Sequence, residues 1–314
     1  MALILDLVQV QAQVVFARGF LYKYKPLTGK GFEQVREIVR DSRIFFPRPS
    51  QLNDPLECRP STTIGDITDP NYWPSVEAWV RRCVAHRRPP PREDQIQAEL
   101  RRLTQPMLVD MLKQVDIEYR AAVEERYRIL SLADSPVNEH LWTAYAGGFT
   151  GVCLQFAVNS RFGTAFEVQY DDGERAIDLT NAESYDHLVV TGLVKRKKWR
   201  REREFRLIFG EPPIDEHQPV LVDQKYSFPS RYLTALIVGT RADVRRRAKL
   251  LSLARQRHPR LRCLEAFPAA SPRSKPAWRS ARLRPLSIWC RPTMPARRPE
   301  QLMVCCAQGT RSRR

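Results

Sequence analysis

Lys195–Phe209 reads KRKKWRREREFRLIF, and its alternation decides what surrounds it. Phe205, Leu207 and Phe209 recur with the period of two of a β-strand, so they share one face, turned to a core. Glu202, Glu204 and Arg206 fall on the opposite face, successive members about 6.5–7 Å apart. Two acids and a cation in a row need water, a partner or a ligand. On an edge strand the row is a solvated ladder. On a central strand it lines a cleft. Neighbouring carboxylates raise one another's pKa, while Arg206 and the upstream Lys/Arg run lower them, so the net sign stays open at this level.

Outward from that segment the chain alternates short strands and helices. Strands are predicted at 21–24, 44–46, 128–132, 151–156, 166–170, 233–238 and 262–267. A helix over 29–41 carries Phe32, Val35, Ile38 and Val39 on one face. Another is predicted at 72–86, stopped by the three prolines of RRPPPRED. The stretch 94–126 places Ile96, Leu100, Leu103, Met107, Met111 and Val115 on one apolar stripe, read as core packing. Ser135-Pro136 reads as the N-cap and first position of a short helix carrying Trp142 and Tyr145 and ended by Gly147 and Gly148. Arg241–Gln256 reads as a basic helix. The pattern predicts a single α+β domain over about 18–267, with a mixed or mostly antiparallel sheet packed by helices and a helical insertion at about 70–126.

Composition sets the class. The 314 residues are 43% hydrophobic and 28% charged, a globular mixture, which excludes a membrane-spanning chain, a collagen and a coiled-coil rod. The apolar start, broken by Asp6, Gln9, Gln11 and Gln13, lacks a basic leader region and a cleavage site; residues 1–17 read as an extension rather than a secretion signal. Net charge is +17, and residues 268–314 hold +10 of it, eleven basic residues against Glu300 alone. This Pro/Arg-rich tail has no sustained periodicity and is expected to be disordered. It reads either as a nucleic-acid or membrane-surface tail or as out-of-frame translation of the gene end. Its Trp residues and Cys305-Cys306 favour the latter. Seven cysteines without a C-x-x-C imply free thiols and a cytoplasmic location. Cys83-x-x-His86 is half a metal site without a second half, so no metal is predicted.

Two further constellations carry polar chemistry. In the loop from Phe46 to Glu57, Asn53 and Asp54 either bind a ligand or hold an Asx-turn ahead of Pro55. Trp142 and Tyr145, three apart on one helix face, either stack on a ligand ring or anchor the helix on the sheet.

These motifs together resemble a known family. They are Leu21-Tyr22-Lys23-Tyr24; Phe46-x-x-Pro49-x-x-Leu52-Asn53-Asp54-Pro55-x-Glu57; Leu130-Ser131-Leu132 with Trp142-x-x-Tyr145-Ala146 and Gly151-Val152-Cys153-Leu154-x-Phe156; and Lys198-Trp199-x-x-Glu202-x-Glu204-x-Arg206. In order and rough spacing, over about 21–267, the chain resembles the bacterial domain-of-unknown-function family numbered 2971, a likeness that implies no activity. A looser likeness, in the order of Tyr22/Tyr24, the helix at 30–41, the strand at 44–46 and Glu202-x-Glu204, is to ADP-ribosyltransferases.

The second likeness implies cleavage of the nicotinamide–ribose bond of NAD⁺, with NAD as substrate rather than resident cofactor. It implies Glu204 as the carboxylate facing the ribose, Glu202 orienting the acceptor, and Tyr22, Tyr24 or Tyr145 stacking on nicotinamide. Lys23 or Lys198 would meet the pyrophosphate. With no Gly-rich dinucleotide loop, no Rossmann mode is implied. Two alternatives stand beside it. A nucleic-acid-binding module would grip the backbone through the basic residues of 195–203 and 241–249. A Mg²⁺ nuclease would use Asp54, Glu57, Glu202 and Glu204. No membrane partner is expected.

Overall fold

The computed structural model describes residues 19–269 and 281–286, apart from 55, 56, 60, 86, 160, 161, 174, 175, 179, 181–191, 214 and 215. The first half of the chain runs β1 (Gly19–Lys25), α1 (Gly29–Asp41), β2 (Arg43–Phe45), β3 (Ser61–Thr63), α2 (Trp73–Val84), α3 (Glu93–Arg102), α4 (Gln105–Arg126), β4 (Tyr127–Ala133) and α5 (Glu139–Ala144). The second half runs β5 (Val152–Val158), β6 (Phe166–Glu167), β7 (Gln169–Tyr170), β8 (Ala176–Asp178), β9 (Val194–Lys195), β10 (Glu204–Gly210), β11 (Lys225–Ser227), β12 (Leu233–Gly239), α6 (Val244–Arg257), β13 (Arg262–Phe267) and β14 (Arg282–Pro285).

Eight strands form one mixed sheet in the order β14-β13-β12-β5-β1-β4-β10-β6. Only β12 and β13 run parallel; the remaining neighbours are antiparallel. This is the α+β arrangement expected from the sequence. Alternate residues of each strand serve the two faces. On one face Leu21, Leu130, Leu154, Leu207, Phe209 and Leu236 are buried under Val35, Ile38 and Val39 of α1 and Leu250, Leu251 and Ala254 of α6. Each such side chain withdrawn from water is worth about 1.5–3 kcal/mol. His258 ties the two helices together, its Nε2 2.7 Å from the Val39 carbonyl oxygen. On the other face α5 covers Tyr22, Tyr24, Ala133 and Cys153, while Tyr119 and Val123 of α4 cover Ile129 and Ile208.

The sheet is split at its centre. β1 follows β5 over seven residue pairs but meets β4 only at Tyr22–Ala133. The edge of β4 that β1 leaves is taken up by the next loop, whose Pro47 carbonyl accepts from Ile129 N at 2.9 Å. The chain beyond Pro47 thereby brings Asn53 to Tyr145 at the end of α5, Asp54 to Trp199 in the turn before β10, and Glu57 to Arg206 of β10. The split is closed on its β5 side by a tight approach: a Cβ on Gly151 would lie 2.3 Å from the Lys25 carbonyl oxygen.

Several expectations need correction. The 94–126 stretch is two helices: Leu103 is extended, and Thr104 caps α4 through Met107 N. The restart changes which residues face inward, so Leu108, Tyr119 and Val123 are buried while Met107 and Met111 are 48% and 44% exposed. The short helix starts at Glu139, capped by Asn138; Ser135 instead accepts from Val137 N, 3.2 Å away. Gly147 and Gly148, at φ +59° and +65°, do end it, in a conformation that favours glycine. The domain extends past 267. Residues 281–286 of the expected tail add β14 to the sheet, with Ala281 and Leu286 buried. The extension 1–17 and residues 270–280 and 287–314 of the tail lie outside the described residues, as does His86. Among the described residues no helix is long and apolar enough to cross a membrane. The four described cysteines, Cys58, Cys83, Cys153 and Cys263, are free.

Candidate active site

β10 is an inner strand, paired with β4 along its length and with the two-residue edge strand β6 at Phe205 and Arg206. The acidic row is therefore not a surface ladder. Glu204 and Arg206 alternate with Phe205 and Leu207 as expected, and the charged members are 4% and 0% exposed. Glu202 stands just before the strand, in the 3-10 turn Lys197–Glu202, and the left-handed Arg203 (φ 49°) re-aims the chain between the two acids.

The cations come from two places. Lys195, at the end of β9, reaches three carboxylates: Glu202 at 2.6 Å, Glu204 at 2.9 Å and Glu57 at 3.0 Å. Arg206 donates to Glu204 from Nε and to Glu57 from a terminal nitrogen, each at 2.7 Å, and to the Gly192 carbonyl at 2.7 Å. Three carboxylates thus enclose two cations, leaving one excess negative charge. Burial pushes the Glu204 carboxyl up, but Arg206 and Lys195 pull harder and hold it well below the usual range. Burial disfavours charge on Lys195 and Arg206 as well, yet Glu204 and Glu57 hold both above their ordinary values.

Above this cluster the split between β1 and β4 opens into a cleft of about 230 Å³. Its walls include Lys23 and Lys25 of β1, Ser131 and Leu132 of β4, Asn53 and Tyr145, with Lys195, Glu202 and Glu204 at the floor. Tyr145 donates its hydroxyl proton to Glu202 Oε1 in a short hydrogen bond, and Asn53 Nδ2 donates to the same hydroxyl at 2.8 Å. Burial and the Glu202 charge raise the Tyr145 pKa, keeping the phenol protonated. Tyr170 supports the floor from behind, accepting from Glu204 N at 2.8 Å.

The structure thus brings together Glu202, Glu204, Lys23, Asn53 and Tyr145. It places the other expected site residues differently. Trp142 is fully buried, stacked on Phe149 at 5.1 Å and edge-on to Tyr24 at 5.3 Å, so it anchors α5 rather than meeting a ligand. Tyr24 donates to the Ser135 carbonyl at 2.7 Å, and Tyr22 accepts from Gln155 at 2.8 Å; both border the cleft from β1 with their hydroxyls committed elsewhere. Asp54 is 3% exposed and is held by Arg196 at 3.0 Å and the Trp199 indole at 2.9 Å, which fixes the loop to the 3-10 turn. Lys198 is 56% exposed, lies 4.0 Å from Asp54 and does not border the cleft. Arg206 is beneath the floor, an electrostatic support.

The two basic runs do not form one surface. Leu250, Leu251 and Ala254 pack α6 on one face of the sheet, whereas the 3-10 turn touches α5 on the other, through Asn138 and Tyr145. Within 195–203, Lys195 is buried, and Arg196, Lys197 and Arg203 pair with Asp54, Asp171 and Asp134. Among the described residues no three His, Cys, Asp or Glu side chains are disposed to hold a metal, and the space between Glu57, Glu202 and Glu204 is filled by the Lys195 ammonium.

Residue patterns missed Lys195 as the hub, since it stands first in a run of basic residues that are otherwise exposed or paired at the surface. The signal was the preceding Leu193-Val194, which marks a segment entering the core. No protein-family model, curated protein or solved structure matches the chain.

Proposed function

We propose that the cleft binds NAD⁺ and cleaves its nicotinamide–ribose bond, passing the ADP-ribosyl group to an acceptor, as the likeness to ADP-ribosyltransferases implies. The observation that carries the reading is the floor: three ion-paired carboxylates at the base of a cleft against the two cations that hold them. Departure of nicotinamide leaves an oxocarbenium-like ribose, and a fixed negative charge in a water-poor site favours that charge where it develops. The likeness implies Glu204 as the carboxylate that faces the ribose. Because both Glu204 oxygens are taken by cations, this reading gives that role to Glu202 instead. Glu204, with both oxygens on Arg206 and Lys195, keeps the floor negative from beneath. Tyr145 orients Glu202, and Asn53 orients Tyr145.

The cleft volume, about 230 Å³, is below the ~300–1,000 Å³ of sites that enclose whole drug-sized ligands, so it suits the nicotinamide–ribose end alone. The exposed Arg200 and Arg201, on the turn that carries Glu202, are available to the pyrophosphate outside. Apart from 151–156, which does not border it, the segments behind the resemblance to family 2971 supply lining residues of this cleft, among them Tyr22, Asn53, Ser131, Tyr145 and Glu204, which supports reading them as one site. Nicotinamide release from NAD⁺ tests the proposal. The native protein is expected to release it, and Glu202→Gln, folded by circular dichroism, to be slower by ~10²-fold or more. No release by the native protein, or an unchanged rate in the folded variant, refutes it.

A further inference from the structure

Glu202 and Glu204, at the floor of the cleft, have their oxygens taken. Every oxygen of Glu204 faces a cation, and Glu202 accepts from Lys195 and Tyr145. A transfer from NAD⁺ to a hydroxyl acceptor must still remove the acceptor's proton. One cleft side chain is built differently. Lys23 projects into the split, and its Nζ donates to the Ser131 carbonyl oxygen at 2.6 Å. It makes no ion pair among the described residues, because Lys195 and Arg206 occupy the nearby carboxylates.

We propose that Lys23 is the general base of the cleft, an inference that rests on the glycosyl-transfer reading for the identity of the bond. The acceptor hydroxyl oxygen attacks C1′ of the ribose. The C1′–N1 bond breaks, and its electron pair leaves with nicotinamide as a neutral ring. The hydroxyl proton passes to the Lys23 amine, which becomes an ammonium and later loses the proton to water. The step consumes NAD⁺ and an alcohol or water and yields the ADP-ribosyl product, nicotinamide and one proton.

The surroundings of Lys23 fit an uncharged amine. Lys25 is on its own strand, Lys195 and Arg43 approach from β9 and β2, and Glu37 of α1 borders the small cavity behind it. Glu37 is paired with Lys225 at 2.7 Å, and Glu202 and Glu204 are shared as described. Burial, then Lys25, lower the Lys23 pKa against the opposing pull of Glu204 and Glu202, to about 7. A group poised there accepts protons at neutral pH, and general bases contribute typically ~10²–10⁴-fold. An uncharged Lys23 also preserves the excess negative charge of the floor; a protonated one cancels it.

The test uses the full chain, native and as Lys23→Arg and Lys23→Met. Arginine keeps a donor for the Ser131 carbonyl but cannot take a proton; methionine keeps the bulk without either. Nicotinamide release is followed from pH 5.5 to 9, and the lysine ¹³Cε resonances are titrated in labelled protein. The expected result is a native rate that rises to a plateau through about pH 7, a matching Lys23 resonance, and both variants slower by ~10²-fold or more with NAD⁺ still bound. A Lys23 resonance that stays charged above pH 9 overturns the proposal. So does native turnover in folded Lys23→Arg, an outcome that leaves the glycosyl-transfer reading standing. A native protein that binds NAD⁺ and releases no nicotinamide overturns both.

Discussion

At the residue scale the centre of the molecule is a charge cluster whose cost and benefit are both large. Taking an ion out of water costs several kcal/mol even after relaxation, and the mutual attraction repays it only when every partner is in place. Lys195 and Arg206 meet that condition for Glu57, Glu202 and Glu204. The consequence appears in acid. Unfolded, a glutamate takes its proton near about pH 4.3, whereas folded Glu204 holds its charge well below that. Between those limits the unfolded chain binds more protons, so stability rises with pH and is lost as pH falls. Lysines and arginines are charged in both states over that window and add no slope. Urea unfolding at pH 6, 5, 4 and 3 is therefore expected to show constant midpoints down to about pH 5 and a steep fall below it. A flat profile to pH 3 would mean that Glu204 is not held as an ion. Of this cluster, the alternation of Glu204 and Arg206 against Phe205 and Leu207 was plain in the sequence. The sign of the pKa shift was not, because it depends on which member of the upstream Lys/Arg run turns inward, as Lys195 does, and that is settled only in the fold.

At the element scale, hydrophobic periodicity identified helices better than it identified their buried faces. α1 is the favourable case: of its apolar positions Phe32, Val35, Ile38 and Val39, the last three are buried and Phe32 packs partly buried against the same core. α4 is the unfavourable one. A stripe drawn continuously from Ile96 to Val115 ignores the break at Leu103, after which Thr104 and Pro106 start a new helix with its own rotation. Helix-capping chemistry thus outweighed the apparent apolar repeat. The same competition displaced the start of α5, where Ser135 serves the local turn and Pro136 offers its carbonyl to the Trp142 indole at 2.9 Å. The consequence for α4 is a pair of contrasting substitutions. Met111→Lys, on the exposed face, is expected to change unfolding free energy by less than about 0.5 kcal/mol. Leu108→Ala, at 1% exposure, is expected to cost about 2–5 kcal/mol. Equal costs in urea unfolding would put the buried face of α4 elsewhere.

At the scale of the whole molecule, the site exists because a continuous eight-stranded sheet contains one pair of neighbours that barely meet. Seven residue pairs hold β1 to β5 and seven hold β10 to β4, so each half is firmly laddered on its own side of the split. The strands were legible one by one from their alternation, but the divergence of β1 from β4 was not. It follows from the loop after Phe46 taking the vacated edge, a long-range pairing that local patterns do not encode. The limit of the domain was misjudged for a related reason. Four residues of a strand give too little periodicity to stand out in a segment rich in Pro and Arg. Yet β14 pairs with β13 through Leu264–Pro285, Glu265–Arg284, Ala266–Leu283 and Phe267–Arg282. Ala281 packs beside Trp142 and Ala266 on one face, and Leu286 joins the α1/α6 core on the other. A chain ending at Ala269 therefore exposes the edge of β13 and uncovers both faces at once. Against a chain ending at Leu286, it is expected to lose at least about 2 kcal/mol from the burial of Leu286 and its neighbours, with the melting temperature lower by several degrees. Hydrogen exchange localises the effect: the amides of β13 should lose protection first, while those of β5 and β10 keep theirs. Identical melting and exchange in the two chains would show that β14 carries no weight in the fold.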